Sequence, residues 1–155
     1  MDSKNNKTRI SICLEKQAEL MSLVNHKDAP SQCKKMFEEV AMEKYSSPLT
    51  KTAAKETFAK SVICSLLYDD SETAQSLLNK YLNIDPDMED SVIHNLLKST
   101  INAIETKNIN MFQEGLRKYK SLQQMDTWMV YMYMKIKEKI DKDVIDDNMI
   151  DVDLR

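Results

Sequence analysis

Histidine and cysteine are the residues of this chain best suited to catalysis or metal binding, but their spacing favours neither role. His26 and His94 are 68 positions apart and no HExxH pattern occurs, so a zinc site has no local support. Cys13, Cys33 and Cys64 include no CxxC pair, so neither a disulfide framework nor a zinc ribbon is indicated. We interpret both histidines as packing or surface residues.

The other candidate positions also have structural interpretations. Cys64 lies in the apolar run SVICSLLY, which is typical of a buried, unreactive thiol. Gly115 is the only glycine, so a glycine-rich phosphate loop cannot form. Asp69 and Asp70 are best interpreted as the cap that precedes a helix. The sequence therefore predicts no catalytic residue, no metal and no cofactor.

The composition of the chain favours an all-α fold. The 155 residues are 42% hydrophobic, enough for one domain with its own core, but include one glycine and three prolines. Tight turns between strands need glycine, whereas the abundant Lys, Glu, Leu, Met, Gln and Ala favour helices.

Charge is concentrated at the C-terminal end, which reads DKDVIDDNMIDVDLR. These fifteen residues carry a net charge of −4 and the other 140 carry +1. A nearly neutral body argues against a nucleic-acid-binding protein, which needs a basic excess.

The start, MDSKNNKTR, lacks the apolar region of a signal peptide, and no run is long enough to span a membrane. We expect a soluble protein of the reducing cytosol.

Three prolines, Pro30, Pro48 and Pro86, separate the apolar periodic segments, as prolines in first helical turns do. The pattern predicts helices at about 8–26, 30–45, 49–67, 71–84, 88–106, 108–120 and 123–140. Apolar stripes mark their buried faces. The longest stripes comprise Cys33, Met36, Phe37 and Val40; Ile93, Leu96, Leu97, Ile101 and Ile104; and Met125, Met129, Met132, Ile136 and Ile140, with Trp128 and Tyr131 beside the last.

Helix pairs recur at roughly forty residues, the range of α-solenoid repeats. A globular helical bundle is the alternative. We predict one helical domain over residues 1–140, with solenoid-like hairpins at 8–67 and a globular bundle at 71–140, followed by an acidic tail at 141–155. Ile145, Met149 and Val152 have helical spacing, so they could prolong the last helix into this tail.

Several stretches occur in the order seen in a known family. They are SSPLTKTAAKETFAKSVICSLL (46–67), AQSLLNKYLNIDPDMEDS (74–91), NLLKSTINAIETKNINMFQEGLRKYKSL (95–122), MDTWMVYMYMKIKEKI (125–140) and a terminal DLR. This series resembles the C-terminal half of the soluble NSF attachment proteins, closest to the alpha type. Family members are nearly twice as long, so the resemblance omits their N-terminal sheet of hairpins, with its membrane-touching loop.

The resemblance implies an adaptor rather than an enzyme. Members of this family coat the four-helix SNARE bundle that remains after membrane fusion and present their C-terminal ends to the hexameric AAA+ ATPase NSF. It implies tetratricopeptide-like hairpins followed by a helical bundle, and a cytoplasmic protein at the periphery of vesicle, Golgi and ER membranes.

The resemblance also implies two sets of contact residues. The ATPase-binding residues carried over are Leu154, Asp153, Arg155, Asp151, Asp147, Asp146, Asp143 and Glu105. Lys55 corresponds to a basic SNARE-binding residue, whereas a second such position falls on Val92. Two alternatives remain: a stand-alone module that binds NSF and competes with longer adaptors, and a helical enzyme, which would require a polar pocket of perturbed side chains.

Overall fold

The computed structural model describes residues 2–24 and 27–153, with side chains for residues 6–24 and 27–146. Within these ranges the chain forms seven α-helices and two short 3₁₀ turns, without a strand. The helices are α1 (Asp2–Ser22), α2 (Ala29–Tyr45), α3 (Ala54–Tyr68), α4 (Ser71–Ile84), α5 (Val92–Glu105), α6 (Ile109–Leu122) and α7 (Thr127–Asp153), and the turns are Lys51–Ala53 and Pro86–Met88. The predicted all-α fold with helical hairpins is confirmed.

Polar side chains define the starts of four helices by accepting a backbone N–H three residues later. The pairs are Asp70 with Thr73 (2.7 Å), Ser91 with His94 (3.2 Å), Asn108 with Met111 (3.1 Å) and Asp126 with Met129 (2.7 Å). These bonds satisfy N–H groups that have no partner within the helix. Asp70 is therefore the predicted cap, while Asp69 accepts a hydrogen bond from Lys34 instead (2.5 Å).

Several predicted helix boundaries differ from the structure. Helix α1 covers Asp2–Ser22 rather than 8–26, and α3 begins at Ala54 rather than at 49 because Lys51–Ala53 forms a separate 3₁₀ turn. Helix α5 begins at Val92 rather than at 88 because Pro86–Met88 forms a separate 3₁₀ turn and Ser91 supplies the cap. Helix α7 continues to Asp153, well beyond the predicted end at 140. His26 lies outside the described residues.

Helix α3 is the central element of the packing. It contacts α2, α4, α5 and α7, and its side chains are buried from Thr57 to Leu66. Phe58 packs against Tyr81 of α4 with ring centroids 4.6 Å apart. Because this helix has no solvated face, its polar side chains need partners inside the protein: Lys60 donates to Glu15 and Glu19, and Ser61 donates to the Lys34 carbonyl.

Helix α7 runs parallel to α3. Near its start, the Trp128 ring lies 5.7 Å from the Lys60 ammonium. Two turns further along α3, the Lys139 ammonium donates to the carbonyl oxygens of Leu66 (3.1 Å) and Asp69 (2.9 Å). The predicted methionine and isoleucine stripe of α7 is buried, and so is Tyr133, which the stripe did not include.

A partly buried cluster of charges attaches α1 to this core. The Lys60 ammonium donates to Glu15 (2.9 Å) and Glu19 (2.7 Å) of α1, and Lys44 donates to the other Glu15 oxygen (2.9 Å). Burial alone lowers the pKa of Lys60, but its bonds to Glu19 and Glu15 outweigh this effect, and the net pKa is raised. The indole N–H of Trp128 donates to Ser22 Oγ (2.8 Å), which adds a second attachment.

The buried thiols and histidine are packing residues. Cys33 and Cys64 are enclosed with their sulfurs 3.5 Å apart, and burial raises the pKa of Cys64 well above its ordinary value. His94 is buried at the start of α5, where its Nδ1 accepts the Asp90 N–H (3.3 Å).

Of the helices described, none is both long enough and apolar enough to cross a membrane.

Candidate functional site

The end of the bundle where α7 leaves the core carries most of the predicted contact residues. Lys139 secures α7 there, because its ammonium donates to the last carbonyl groups of α3, which have no partners within that helix. Burial lowers the pKa of Lys139, and nearby Asp143 opposes this shift. The helix continues for fourteen more residues to Asp153, about 21 Å at 1.5 Å per residue.

The carboxylates on this projecting part of α7 differ in their surroundings. Asp146 is exposed and Asp143 is half-buried near Lys139. Asp147, Asp151 and Asp153 belong to α7, but the structure does not describe their side chains. Leu154 and Arg155 lie outside the described residues.

Glu105 reaches the same end of the bundle from another helix. It is the exposed last residue of α5. Thr100 of α5 and Phe112 of α6 both contact Tyr133 of α7, the former with its hydroxyl 3.0 Å from the Tyr133 hydroxyl and the latter with ring centroids 5.7 Å apart. Just after the end of α6, Gln123 donates to Glu56 at the start of α3, so the turn between α5 and α6 lies at the other end of the bundle, towards which α7 projects. Glu105, Asp143 and Asp146 form what we call the acidic end.

Lys55 lies at the opposite end of the molecule. It is half-buried in the first turn of α3. Its neighbour Glu56 accepts a hydrogen bond from Gln123, so Lys55 is level with the residues just before α7. Nineteen residues separate Thr127 from Asp146 along α7, which places Lys55 about 30 Å from the projecting acidic residues.

One exposed apolar residue shortly before α3 was not predicted from the sequence. Leu49 lies on the turn between α2 and α3 and is 96% exposed. In the same turn, Lys51 lies over the Tyr45 ring with its ammonium 4.8 Å from the centroid. Leu49, Lys51 and Lys55 form what we call the lysine end. A leucine that directly follows Pro48 in a short polar turn is expected to be exposed. This pattern could have identified Leu49 from the sequence.

Val92, where the resemblance placed a lost basic contact, is half-buried and packs against the core. It helps to line an apolar cavity of about 200 Å³ between α5 and α6. The side chain therefore contributes packing at this position rather than charge.

The described residues do not form a catalytic or metal-binding constellation. No group of His, Cys, Asp and Glu side chains in this part of the chain is arranged to hold a metal ion. Every fully buried side-chain nitrogen or oxygen there has a hydrogen-bond partner. The raised pKa values of Tyr81 and Tyr133 result first from burial in the core, so these shifts have structural causes.

Comparisons with known proteins identify the family of this chain. The family model described as "Soluble NSF attachment protein, SNAP" matches residues 2–141. The chain is 31% identical over 108 residues to the alpha-soluble NSF attachment protein of Homo sapiens, a match that covers 70% of this chain and 36% of that protein. It is 31% identical over 106 residues to a probable vesicular-fusion protein sec17 homolog of Neurospora crassa, covering 68% and 36%.

The match to the alpha-soluble NSF attachment protein of Saccharomyces cerevisiae is 29% over 92 residues, covering 59% of this chain and 32% of that protein. The matched part of the chain thus spans about a third of the length of these relatives. The family match, by contrast, extends over nearly all of the described helices and ends in α7. The chain belongs to the soluble NSF attachment protein family.

Proposed function

We propose that this protein is a non-catalytic adaptor that links the SNARE four-helix bundle to an NSF-type AAA+ ATPase and stimulates SNARE disassembly. The observation that carries the proposal is the separation of the two candidate surfaces. The lysine end and the acidic end lie about 30 Å apart on the parallel helices α3 and α7, so two partners can bind at once. Its place of action is the cytoplasmic surface of vesicle, Golgi and ER membranes.

The acidic end suits a basic surface of the ATPase. Several carboxylates of one sign attract such a surface and speed the encounter. Leu154 can then anchor the contact, because full burial of one leucine stabilises binding by about 1.5–3 kcal/mol. Each contact is weak, so several adaptors around one ATPase hexamer act through avidity.

The lysine end suits an acidic helical bundle with shallow apolar grooves. Lys51 and Lys55 supply positive charge, and Leu49 projects fully into solvent between helices α2 and α3. The 3₁₀ turn at Pro86–Met88 places exposed Asp87 at the same end of the molecule. The attraction between this end and an acidic partner is therefore confined to the surface around Lys51 and Lys55, and Leu49 supplies the apolar contact.

A matched pair of leucine truncations tests the proposal. Leu154→Ala should abolish stimulation of the ATPase and leave co-sedimentation with assembled SNARE bundles unchanged. Leu49→Ala should weaken SNARE binding and leave binding of the ATPase alone unchanged. Deletion of residues 151–155 should act like Leu154→Ala with an unchanged helical circular dichroism spectrum. Full stimulation by the truncated chain would contradict the proposal.

A competing regulator that binds the ATPase but does not bind SNAREs productively is the alternative function. A disassembly assay distinguishes the two functions. An adaptor restores disassembly when added alone with the ATPase, whereas a competitor suppresses the disassembly supported by a full-length relative.

A further inference from the structure

Two cysteine side chains meet in the core between α2 and α3. Cys33 lies near the start of α2 and Cys64 near the end of α3. They are 31 positions apart in the sequence, yet their sulfur atoms are 3.5 Å apart, and both side chains are fully buried. A disulfide bond is about 2.0 Å long, so the sulfurs need to approach by about 1.5 Å, which modest χ1 rotations supply.

Polar contacts on both sides of Cys64 hold α2 against α3 at this level. The Ser61 hydroxyl, shortly before Cys64, donates to the Lys34 carbonyl of α2 (3.1 Å). Asp69, directly after the end of α3, accepts a hydrogen bond from the Lys34 ammonium (2.5 Å). Because the residue next to Cys33 is held twice, the two helices do not slide past each other here, and the sulfur atoms stay opposite one another.

The two thiols differ in how readily they ionise. The hydrogen bond with Cys64 lowers the pKa of Cys33; burial opposes this effect, and the Lys34 ammonium reinforces the lowering. Burial raises the pKa of Cys64 well above its ordinary value, and the nearby Cys33 adds to this rise. The thiolate is the reactive form of cysteine, so Cys33 is the thiol that reacts first and Cys64 is the one that attacks it afterwards.

Cys33 is also the thiol that a small oxidant reaches more easily. It lies close to Ala29, where α2 begins, and the ends of helices open locally at little cost in free energy. Hydrogen peroxide is little larger than a water molecule, so a brief opening at the start of α2 admits it. Cys64 lies within the enclosed part of α3, so its oxidation proceeds through Cys33.

We propose that Cys33 and Cys64 are a redox-sensitive pair, which a hydroperoxide converts into a disulfide across the α2–α3 hairpin. The Cys33 thiolate attacks one peroxide oxygen, the O–O bond breaks, and Cys33 becomes a sulfenic acid while hydroxide leaves. Cys64 then attacks the Cys33 sulfur, the S–S bond forms, and the sulfenic oxygen leaves as hydroxide. The two thiol protons neutralise the two hydroxide ions, so two thiols and one hydrogen peroxide give one disulfide and two water molecules.

The disulfide closes the open end of the hairpin. The other end is already joined by the turn that carries Leu49 and Lys51 of the lysine end. Closing a loop of this length restricts the unfolded chain and so stabilises the folded one. Small thiols reduce such a bond again, as they do the transient disulfides of redox sensors.

Oxidation of a folded Cys13→Ser chain with hydrogen peroxide tests the proposal directly. Cys13 is exposed, and its replacement leaves the buried pair and prevents disulfides between chains. After free thiols are blocked, trypsin should release DAPSQCK linked to SVICSLLYDDSETAQSLLNK, the peptides that carry Cys33 and Cys64. Neither peptide contains methionine, so methionine oxidation does not change the mass of the linked product. Dithiothreitol should separate the two peptides.

Thermal unfolding of the same chain measures the consequence of the bond. The oxidised form should melt about 5–15 °C above the reduced form, because the disulfide constrains the unfolded chain. The matched control is Cys13→Ser combined with Cys33→Ala, which lacks the attacking thiol but keeps every methionine. Peroxide should yield no linked peptides from this control and should not raise its melting temperature.

Three results overturn the proposal. One is a folded chain in which both cysteines stay free, or in which Cys33 gains oxygen without linking to Cys64. Another is a cross-link that forms only after the chain has been unfolded, since the folded core would then not supply the geometry. The third is a linked chain that melts no higher than the reduced chain, because the bond would then distort the hairpin rather than close it.

Discussion

At the scale of single residues, Lys60 shows how a charge becomes part of this core. Its ammonium lies among Glu15, Glu19 and the Trp128 ring, so three helices meet at one side chain. Removing one partner of a buried pair costs more than the pair contributes, because the other charge is left unsatisfied. The cluster therefore fixes the position of α1.

The first prediction concerns Glu15→Gln. Burial raises the pKa of Glu15, but hydrogen bonds from Lys44 and Lys60 lower it more, and the folded-state pKa lies below its ordinary value of 4.5. A carboxyl group of this kind contributes stability that is present above its unfolded pKa and is lost as pH falls through the folded value. Glu15→Gln should cost about 1–3 kcal/mol at pH 7, the usual worth of hydrogen bonds to charged groups.

Denaturant unfolding of both chains between pH 7 and pH 3 checks this expectation. The difference should shrink as pH falls below about 4.5. Glu114→Gln removes the partner of Arg117 in an exposed pair and should change neither stability nor its pH dependence. An equal loss at pH 3 and pH 7 would show that the Glu15 charge is not the cause.

At the scale of elements, α5 and α6 approach closely because Gly115 has no side chain. A Cβ atom at Gly115 would meet Ser99 Oγ and would lie 3.0 Å from Ser99 Cβ. Glycine in a helix interior costs about 0.5–1 kcal/mol relative to alanine, and the close contact between the helices offsets that cost. The sole glycine of the chain thus serves helix packing rather than a turn.

The second prediction is that Gly115→Ala destabilises the protein by about 1–2 kcal/mol. Overpacking typically costs about 1–3 kcal/mol, and the better helix propensity of alanine reduces the net loss. Ser99→Ala removes the hydroxyl that meets the new methyl group, so the double variant should recover most of the loss. Thermal unfolding of the four chains in a double-mutant cycle measures this coupling. Additive losses would contradict it.

Helix α7 carries Asp143 and Asp146 of the acidic end beyond the core, so the continuity of this helix should matter for binding of the ATPase. The third prediction is that Ile145→Pro lowers ATPase stimulation several-fold while the melting temperature of the bundle stays unchanged. Proline removes a helical hydrogen bond and clashes with the preceding turn, at about 3 kcal/mol. The site lies beyond Lys139, which anchors α7 to the end of α3, and beyond Ile140, the last buried side chain of α7 among those that the structure describes, so the core is not affected.

Ile145→Ala is the matched control. Ile145 is 57% exposed, so its truncation leaves no cavity and preserves the helix. Stimulation by this variant should equal that of the unaltered chain. If alanine and proline reduce stimulation equally, the apolar side chain itself contacts the ATPase, and continuity of the helix is not what matters.

At the scale of the whole molecule, the two candidate surfaces are separated by the length of the bundle. The fourth prediction is that Leu49→Ala and Leu154→Ala act independently. Sites more than about 7–10 Å apart without shared partners usually give additive effects within about 0.3–0.5 kcal/mol. The double variant should therefore show the SNARE affinity of Leu49→Ala and the ATPase affinity of Leu154→Ala.

Equilibrium binding of each partner alone to the four chains measures this. A double variant that binds SNAREs much more weakly than Leu49→Ala would show that the two ends are coupled through the bundle. Such a result would contradict the simple bridging arrangement.

Much of the helical fold is predictable from sequence because it depends on local chemistry. Caps such as Asp70, apolar stripes such as that of α7, and the near absence of glycine all act within a few residues. The errors have local causes as well. Pro86 begins a 3₁₀ turn rather than α5, and the apolar residues after Ile140 prolong α7 to Asp153.

The charge cluster around Lys60 and the two candidate surfaces are less predictable, because they form only in the folded chain. From sequence, Lys60 is one lysine on one helix, and its burial depends on carboxylates more than forty residues away. The exposure of Leu49 also depends on where the turn between α2 and α3 lies. The contact roles of Leu154 and Lys55 come from family resemblance and stay predictions.

The sequence by itself determined the helical class, most of the helices and the family pattern, since these are encoded in composition, periodicity and the order of motifs. Only the tertiary structure decided that α7 runs parallel to α3. It also decided that the acidic and lysine ends lie at opposite poles of the bundle. The physical reason is that helix direction and axial register are set by contacts between distant residues, here Lys60 with Trp128 and Lys139 with the end of α3.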